Sequence, residues 1–194
     1  VKIPVLGAYS KTWPLNCPKS DKIVRNYADY LAKPGSNKGF SGIGMLFLLS
    51  TGEDKDLATV REWVHGFADK PGPDYAWTLG YGGIPLCEYY LRTGDAAALP
   101  IIRKWVVSAA KAEYLDAWAG RGGVTGVDYG NGHLNAGGTA VVTFLQLAKE
   151  CGANVNDSLL RRTLVHFFRY AGRGNNPYGD DRPGPGFAPA EADL

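Results

Sequence analysis

Apolar residues along this chain fall into two rhythms. In one, they follow each other almost without a break: Ile43, Met45, Leu46, Phe47, Leu48 and Leu49, then Ile84, Leu86, Cys87, Tyr89, Tyr90 and Leu91, then Val141, Val142, Phe144, Leu145 and Leu147. Stretches of this kind predict helices buried on most sides. In the other rhythm they recur every three or four residues. Leu57, Val60, Trp63, Val64 and Phe67 share one face, with Lys55, Asp56, Glu62 and Asp69 off it. That spacing predicts an amphipathic helix with one wet face. The two kinds alternate, so the expected architecture is an inner layer of buried helices and an outer layer of half-exposed ones.

The alternation is a repeat. FSGIGMLFLLSTGEDKDLATVREWV (Phe40–Val64) aligns with YGGIPLCEYYLRTGDAAALPIIRKWV (Tyr81–Val106), with one indel near Gly44 and Pro85. Thr51-Gly52 matches Thr93-Gly94, and Arg61, Trp63 and Val64 match Arg103, Trp105 and Val106, each pair 42 residues apart. A weaker third copy runs through NAGGTAVVTFLQLAKECG (Asn135–Gly152) into a helix around Leu159–Tyr170. Trp63 and Trp105, at equivalent positions, are expected in the core. Gly52, Gly94 and Gly152 follow the first helix of each copy and suit the left-handed position that ends a helix. With an earlier helix over Asp21–Ala32, the expectation is an all-α fold of antiparallel helix pairs, about seven helices in all. The chain divides into an extended segment, 1–19, a helical-repeat domain, 20–172, and a loop or tail, 173–194. Only VKIPVLG and the Val124–Tyr129 loop read as extended, so no parallel α/β sheet is expected.

Connections between these helices are unequal. The turns Thr51–Asp54, Thr93–Asp95 and Cys151–Asn156 are short, whereas Lys33–Gly39, Asp69–Leu79, Glu113–Leu134 and the tail after Gly172 are long. In an array of antiparallel pairs the long ones fall on one rim, beside the N-termini of the inner helices. Long loops on a rigid scaffold are where ligands are met. Each of the last three carries glycines, an aromatic and a carboxylate, and the last two add amides. Trp77, Trp118, Arg121, Asn131, Tyr178 and Tyr81 are the candidate ligand-binding residues. Aromatic faces stack on sugar rings, and the amides and guanidinium bond hydroxyls or carboxylates. His133, at the start of an inner helix near Asp128 and Tyr129, is the candidate acid or base. Asp74, Asp128, Asp180 and Asp181 could supply the two carboxylates of glycoside hydrolysis. A lyase would instead use His133 or Tyr129 to take the proton beside a uronate, with Arg121 neutralising its carboxylate. His65 and His166 lie within outer helices and read as structural.

Composition narrows the field. A net charge of +2 with no block of like charges lacks the electrostatic footprint of a nucleic-acid binder. Arg161, Arg162, Arg169 and Arg173 read as a solvated face. The longest uncharged apolar stretch, Gly39–Thr51, is too short to span a bilayer. Cys17, Cys87 and Cys151 form no CxxC and fit no zinc spacing. Cys87, inside an apolar helix, reads as a buried thiol, and Asn156 as a helix cap. There is no GxSxG elbow, P-loop, dinucleotide fingerprint, HExxH or EF-hand loop. No cofactor and no metal set is therefore expected.

VLGAYSKTWPLNCPKS, GFSGIGMLFLLSTGE, GYGGIPLCEYYLRTGD, NAGG and FFRYAGRGNNPYGDDRP resemble an uncharacterised bacterial family. In it a PDZ-like domain precedes a squalene-cyclase/prenyltransferase-like (α/α) toroid. The resemblance implies a partial (α/α) toroid, VKIPVLG as the exit from a preceding domain, and a secreted or periplasmic location. It carries over no activity. Among the chemistries that (α/α) toroids host, the DxDD acid motif of triterpene cyclases is absent, since GDDR lacks the leading Asp. The zinc set of prenyltransferases is not evident either. Three functions follow as expectations. The first is a carbohydrate-active enzyme, hydrolase or lyase, working on a polysaccharide or other polar ligand at the long-loop rim. The second is a non-catalytic binding module whose partner is a second copy or another protein. The third is an isoprenoid cyclase-like protein using Tyr81, Tyr89 and Tyr90.

Overall fold

The structure is a computed structural model and describes residue 11 and residues 16–33, 42–114, 116–118 and 135–168. The described part is all-α: α1 (Pro18–Ala32), α2 (Ile43–Thr51), α3 (Asp54–His65), α4 (Ala76–Thr93), α5 (Ala98–Ala112), α6 (Asn135–Glu150) and α7 (Asp157–Phe168). Between α5 and α6, β1 (Glu113–Tyr114) and β2 (Ala117–Trp118) form a minimal antiparallel hairpin, with Asp116 at φ 70° in its turn. That hairpin is a departure from the sequence expectation. VKIPVLG and Val124–Tyr129 lie outside the described residues.

The two layers are present. Helices α2, α4 and α6 lie side by side, α4 central between the others. They run parallel. Gly80 of α4 meets Ala140 of α6, one turn on Gly83 meets Phe144, and at the far end Arg92 bonds the Leu49 carbonyl of α2 at 2.5 Å. Glycine makes the approach possible. A Cβ on Gly80 would sit 2.5 Å from the Ala140 Cβ, and one on Gly83 would run into the Phe144 ring.

At the head of α2, Gly42 has φ 125° and packs on the Tyr81 carbonyl, where a Cβ would come within 2.6 Å. Pro85 lies inside α4. Lacking an N–H, it leaves that same Tyr81 carbonyl without its usual helical donor.

The outer helices α3, α5 and α7 each turn one face inward. An aromatic ladder crosses the layers: Trp63 on Phe67, Phe67 on Trp105 and Trp105 on Phe144, with centroids 5.0, 5.1 and 6.4 Å apart. Of the repeated tryptophans, Trp105 is a core residue, as the spacing predicts, whereas Trp63 is only partly buried and packs against the core.

The helix-ending glycines also behave as expected. Gly52, Gly94 and Gly152 take φ of 78°, 64° and 81°. Asn156 caps α7, its side-chain oxygen accepting from the N–H groups of Ser158 and Leu159 at 2.8 and 3.2 Å.

Two features differ from the sequence pattern. Ile43 and Leu46 of α2 are exposed, because α2 is the terminal inner helix of the described array and α1 covers only part of it. Helix α3 runs from α1 toward the α4–α5 turn, so its last residue, His65, meets Asp95. The connection that follows lies along α5. Lys104 there bonds the carbonyls of Phe67, Ala68 and Lys70, and Gly72 packs on Ser108. Only the end of this connection reaches the rim, and Ala76–Leu79, expected in a loop, form the first turn of α4.

Candidate functional site

The rim at the N-terminal ends of α4 and α6 is built from few described side chains. Tyr75 is extended and α4 starts at Ala76, which is buried and pins the helix end to the core. Trp77 and Tyr81 are four residues apart and so share a helix face. Their rings stack with centroids 5.3 Å apart and planes 14° from parallel, and both are half-buried. The Tyr81 backbone is fixed from behind by Gly42, so the pair is a firm feature rather than a loop ornament. Asp74 is exposed, three residues before Trp77.

On the same rim, α6 opens with Asn135, 1% exposed, whose Oδ1 accepts from the Nε2 of His166, 3% exposed, at 3.1 Å. This bond ties the head of α6 to the last turn of α7. His166 is thus a buried structural residue, as its place within an outer helix predicts.

The opposite end carries two polar clusters that the sequence pattern does not announce. In the first, Asp56 is 1% exposed and accepts from Nη2 and Nη1 of Arg25, at 2.7 and 3.0 Å, and from the Thr51 hydroxyl at 2.6 Å. Burial pushes the Asp56 carboxyl up, but the bonds from Arg25 and Thr51 prevail and hold it below the usual carboxylate range. In the second, Asp95 accepts from the Tyr89 hydroxyl at 2.6 Å, from His65 at 2.8 Å and from the Ala97 N–H at 3.1 Å. Tyr89 and His65, in that order, bring the Asp95 carboxyl down to about 2. Arg61 donates to the Tyr89 hydroxyl at 3.3 Å.

The clusters repeat one device. Thr51 accepts from the Glu53 N–H, as Thr93 does from the Asp95 N–H, and a carboxylate beside each turn reaches a basic residue on the preceding outer helix. The signal that could have revealed them is the Thr-Gly repeat followed by a carboxylate. An imidazole oriented by a carboxylate resembles a general base. In this cluster, however, the groups fasten α3 to the α4–α5 turn, on the end away from the long loops.

The sequence-predicted site residues fare unequally. Trp77 and Tyr81 come together at the head of α4, and Asp74 precedes them, exposed, by three residues in sequence. Trp118 does not join them: it is fully buried, and its indole N–H donates to the Ala109 carbonyl at 2.9 Å. The hairpin folds it under α5, which removes it as a ligand-stacking ring. Tyr89 is likewise taken up by Asp95. His133, Asp128, Tyr129, Arg121, Asn131, Tyr178, Asp180 and Asp181 lie outside the described residues. Of the arginine cluster, Arg162 bonds Asp116 at 2.7 Å and Ser158 at 3.0 Å.

A separate groove of about 470 Å³ lies on α6 and α7, floored by Leu160, Leu164, Val165 and Phe168 with Lys149 and Asp157 at its edge. None of the predicted site residues lines it. Among the described residues there is no group of three or more His, Cys, Asp or Glu that could hold a metal ion, and no helix long and apolar enough to cross a membrane.

The family described as Domain of unknown function (DUF6288) matches residues 20–190, and the chain belongs to that family. No curated protein and no solved structure matches the chain.

Proposed function

We propose that the helix pairs form an arc of an (α/α) toroid and that its long-loop rim is a saccharide site, belonging to a polysaccharide hydrolase or lyase. The observation that carries this reading is the Trp77–Tyr81 stack, half-buried at the head of the central inner helix. Such a platform suits the apolar face of a sugar ring, and Asp74 stands close by in sequence to bond hydroxyls. A hydrolase needs a second carboxylate at one of the spacings that glycoside hydrolysis uses. Asp128, Asp180 and Asp181 are the candidates. A lyase would draw on His133, Tyr129 and Arg121 instead. Export to the periplasm or the exterior belongs to the same proposal and rests on the family resemblance alone.

The test is turnover on a panel of neutral polysaccharides and polyuronates, reading new reducing ends for hydrolysis and unsaturated ends for elimination. The expected result is activity on at least one polymer, lost in Asp180→Ala or His133→Ala. Inactivity across the panel would move the assignment to a second reading, an interaction module. That reading is favoured by a different observation. Ile23, Val24, Tyr27 and Tyr30 on α1, with Ile43 and Leu46 on α2, form an exposed apolar end to the array. Light scattering decides it: association lost on Tyr27→Glu supports the module, and a strict monomer counts against self-association.

A further inference from the structure

The α4–α6 contact has a stripe of small residues on one side. Gly80, Gly83 and Cys87 fall on one face of α4, at i, i+3 and i+7. Opposite them on α6 are Ala140 and Phe144, and the same face continues to Ala148 and to Cys151 just past the helix end. Because the glycines admit the neighbouring backbone, the two helices approach closely along this line. Cys87 is fully buried and Cys151 is 4% exposed. The Cys151 thiol reaches the Cys87 carbonyl, with Sγ 3.7 Å from the oxygen, which brings the two residues together. Both are free thiols in this structure.

Cys151 also holds a position of its own in the repeat. It stands immediately before Gly152, where the other copies have Thr51 before Gly52 and Thr93 before Gly94. Those hydroxyls bond within their own turn. The thiol turns across to the neighbouring inner helix instead.

We infer that Cys87 and Cys151 are an oxidisable pair that forms a disulfide between α4 and α6, fastening the second and third helix pairs of the array together. The oxidant is a small-molecule disulfide. The Cys151 thiolate attacks one of its sulfurs, giving a mixed disulfide on Cys151 and releasing one small thiol. The Cys87 thiolate then attacks the Cys151 sulfur, closing the protein disulfide and releasing the second small thiol. Two protein thiols are oxidised and one small disulfide is reduced to two thiols. Cys151 acts first because it is the less buried and sits in a turn. Its contact with Cys87, together with burial, pushes the Cys87 thiol up. Cys17, at the head of α1 at the other end of the array, takes no part.

The full reduced chain is incubated with oxidised glutathione, denatured, alkylated and mapped by mass spectrometry. The expected products are one Cys87–Cys151 linked peptide and an alkylated Cys17. The thermal midpoint should rise by about 5–15 °C, because the link closes a long loop in the unfolded chain. Cys151→Ser should retain the helical circular dichroism and lose both the linked peptide and the rise. Three alkylated cysteines, a link through Cys17, or a glutathione adduct on Cys151 that never resolves would each overturn the inference.

Discussion

Arg25 and Asp56 lie 31 residues apart and are joined by two hydrogen bonds, of 3.0 and 2.7 Å, that fasten α1 to the first turn of α3. The carboxylate is buried and the guanidinium covers it. Removing Asp56 with Ala also releases the Thr51 hydroxyl, and is expected to destabilise the fold by about 3 kcal/mol. Denaturant unfolding measures this. Arg25→Lys should not restore the wild-type midpoint, because an ammonium cannot present the two-pronged fork.

The same carboxylates set the acid limb of stability. Asp95 ionises at about 2 in the fold, below its ordinary value of 3.8, and Asp56 is also lowered. A lowered folded value means the unfolded chain binds the proton more readily. The stabilisation is therefore complete above about pH 4 and lost as pH falls toward 2. Tyr89→Phe removes the shortest bond to Asp95 and should cost about 1–2 kcal/mol at neutral pH. It should also flatten the decline between pH 4 and 2. A midpoint-versus-pH curve identical to wild type would contradict the assignment.

Two glycines separate conformational strain from collision. Gly94 is left-handed, and no neighbouring atom lies within 4 Å of where a methyl group would stand, so Gly94→Ala should cost only about 1–2 kcal/mol. Gly42 has a positive φ as well, but its Cβ would lie 2.6 Å from the Tyr81 carbonyl oxygen. Gly42→Ala should cost about 3–5 kcal/mol. Because Tyr81 is the residue pushed, it should also disturb the Trp77–Tyr81 stack, visible in near-ultraviolet circular dichroism.

Much of the fold can be read from residue order because helices and caps are local. The unbroken apolar runs, the left-handed glycines and the Asn156 cap each depend on residues within a turn or two. What could not be read depends on packing between distant segments. Arg25 looks like any exposed basic residue of an amphipathic helix until α3 brings Asp56 to it. Trp118 sits beside Gly120 and Arg121 and resembles a loop aromatic, yet a hairpin turned by Asp116 carries it under the Ala109 carbonyl. The ring contacts of Phe67 with both Trp63 and Trp105 join two helix pairs, which no single helix pattern contains. Of the candidate site, Trp77 and Tyr81 were legible as aromatic residues, but Trp77 read as part of a loop, so neither their shared helix face nor their parallel stacking could be foreseen.

Trp118 provides the control for the rim. Trp118→Phe should lower stability, since it removes the indole N–H donated to Ala109 and some core volume, by about 1–3 kcal/mol. It should leave saccharide affinity unchanged. A selective loss of affinity with unaltered stability would return Trp118 to the site.

If the head of α4 stacks on sugar, affinity electrophoresis should detect it. The full chain, Trp77→Ala and Tyr81→Ala are run through native gels containing each polysaccharide of the panel. At least one polymer should retard the wild-type chain, and each substitution should weaken its affinity about tenfold, the equivalent of one stacking contact. Retardation of Trp77→Ala and Tyr81→Ala equal to that of wild type, or none of the three retarded by any polymer, would contradict it.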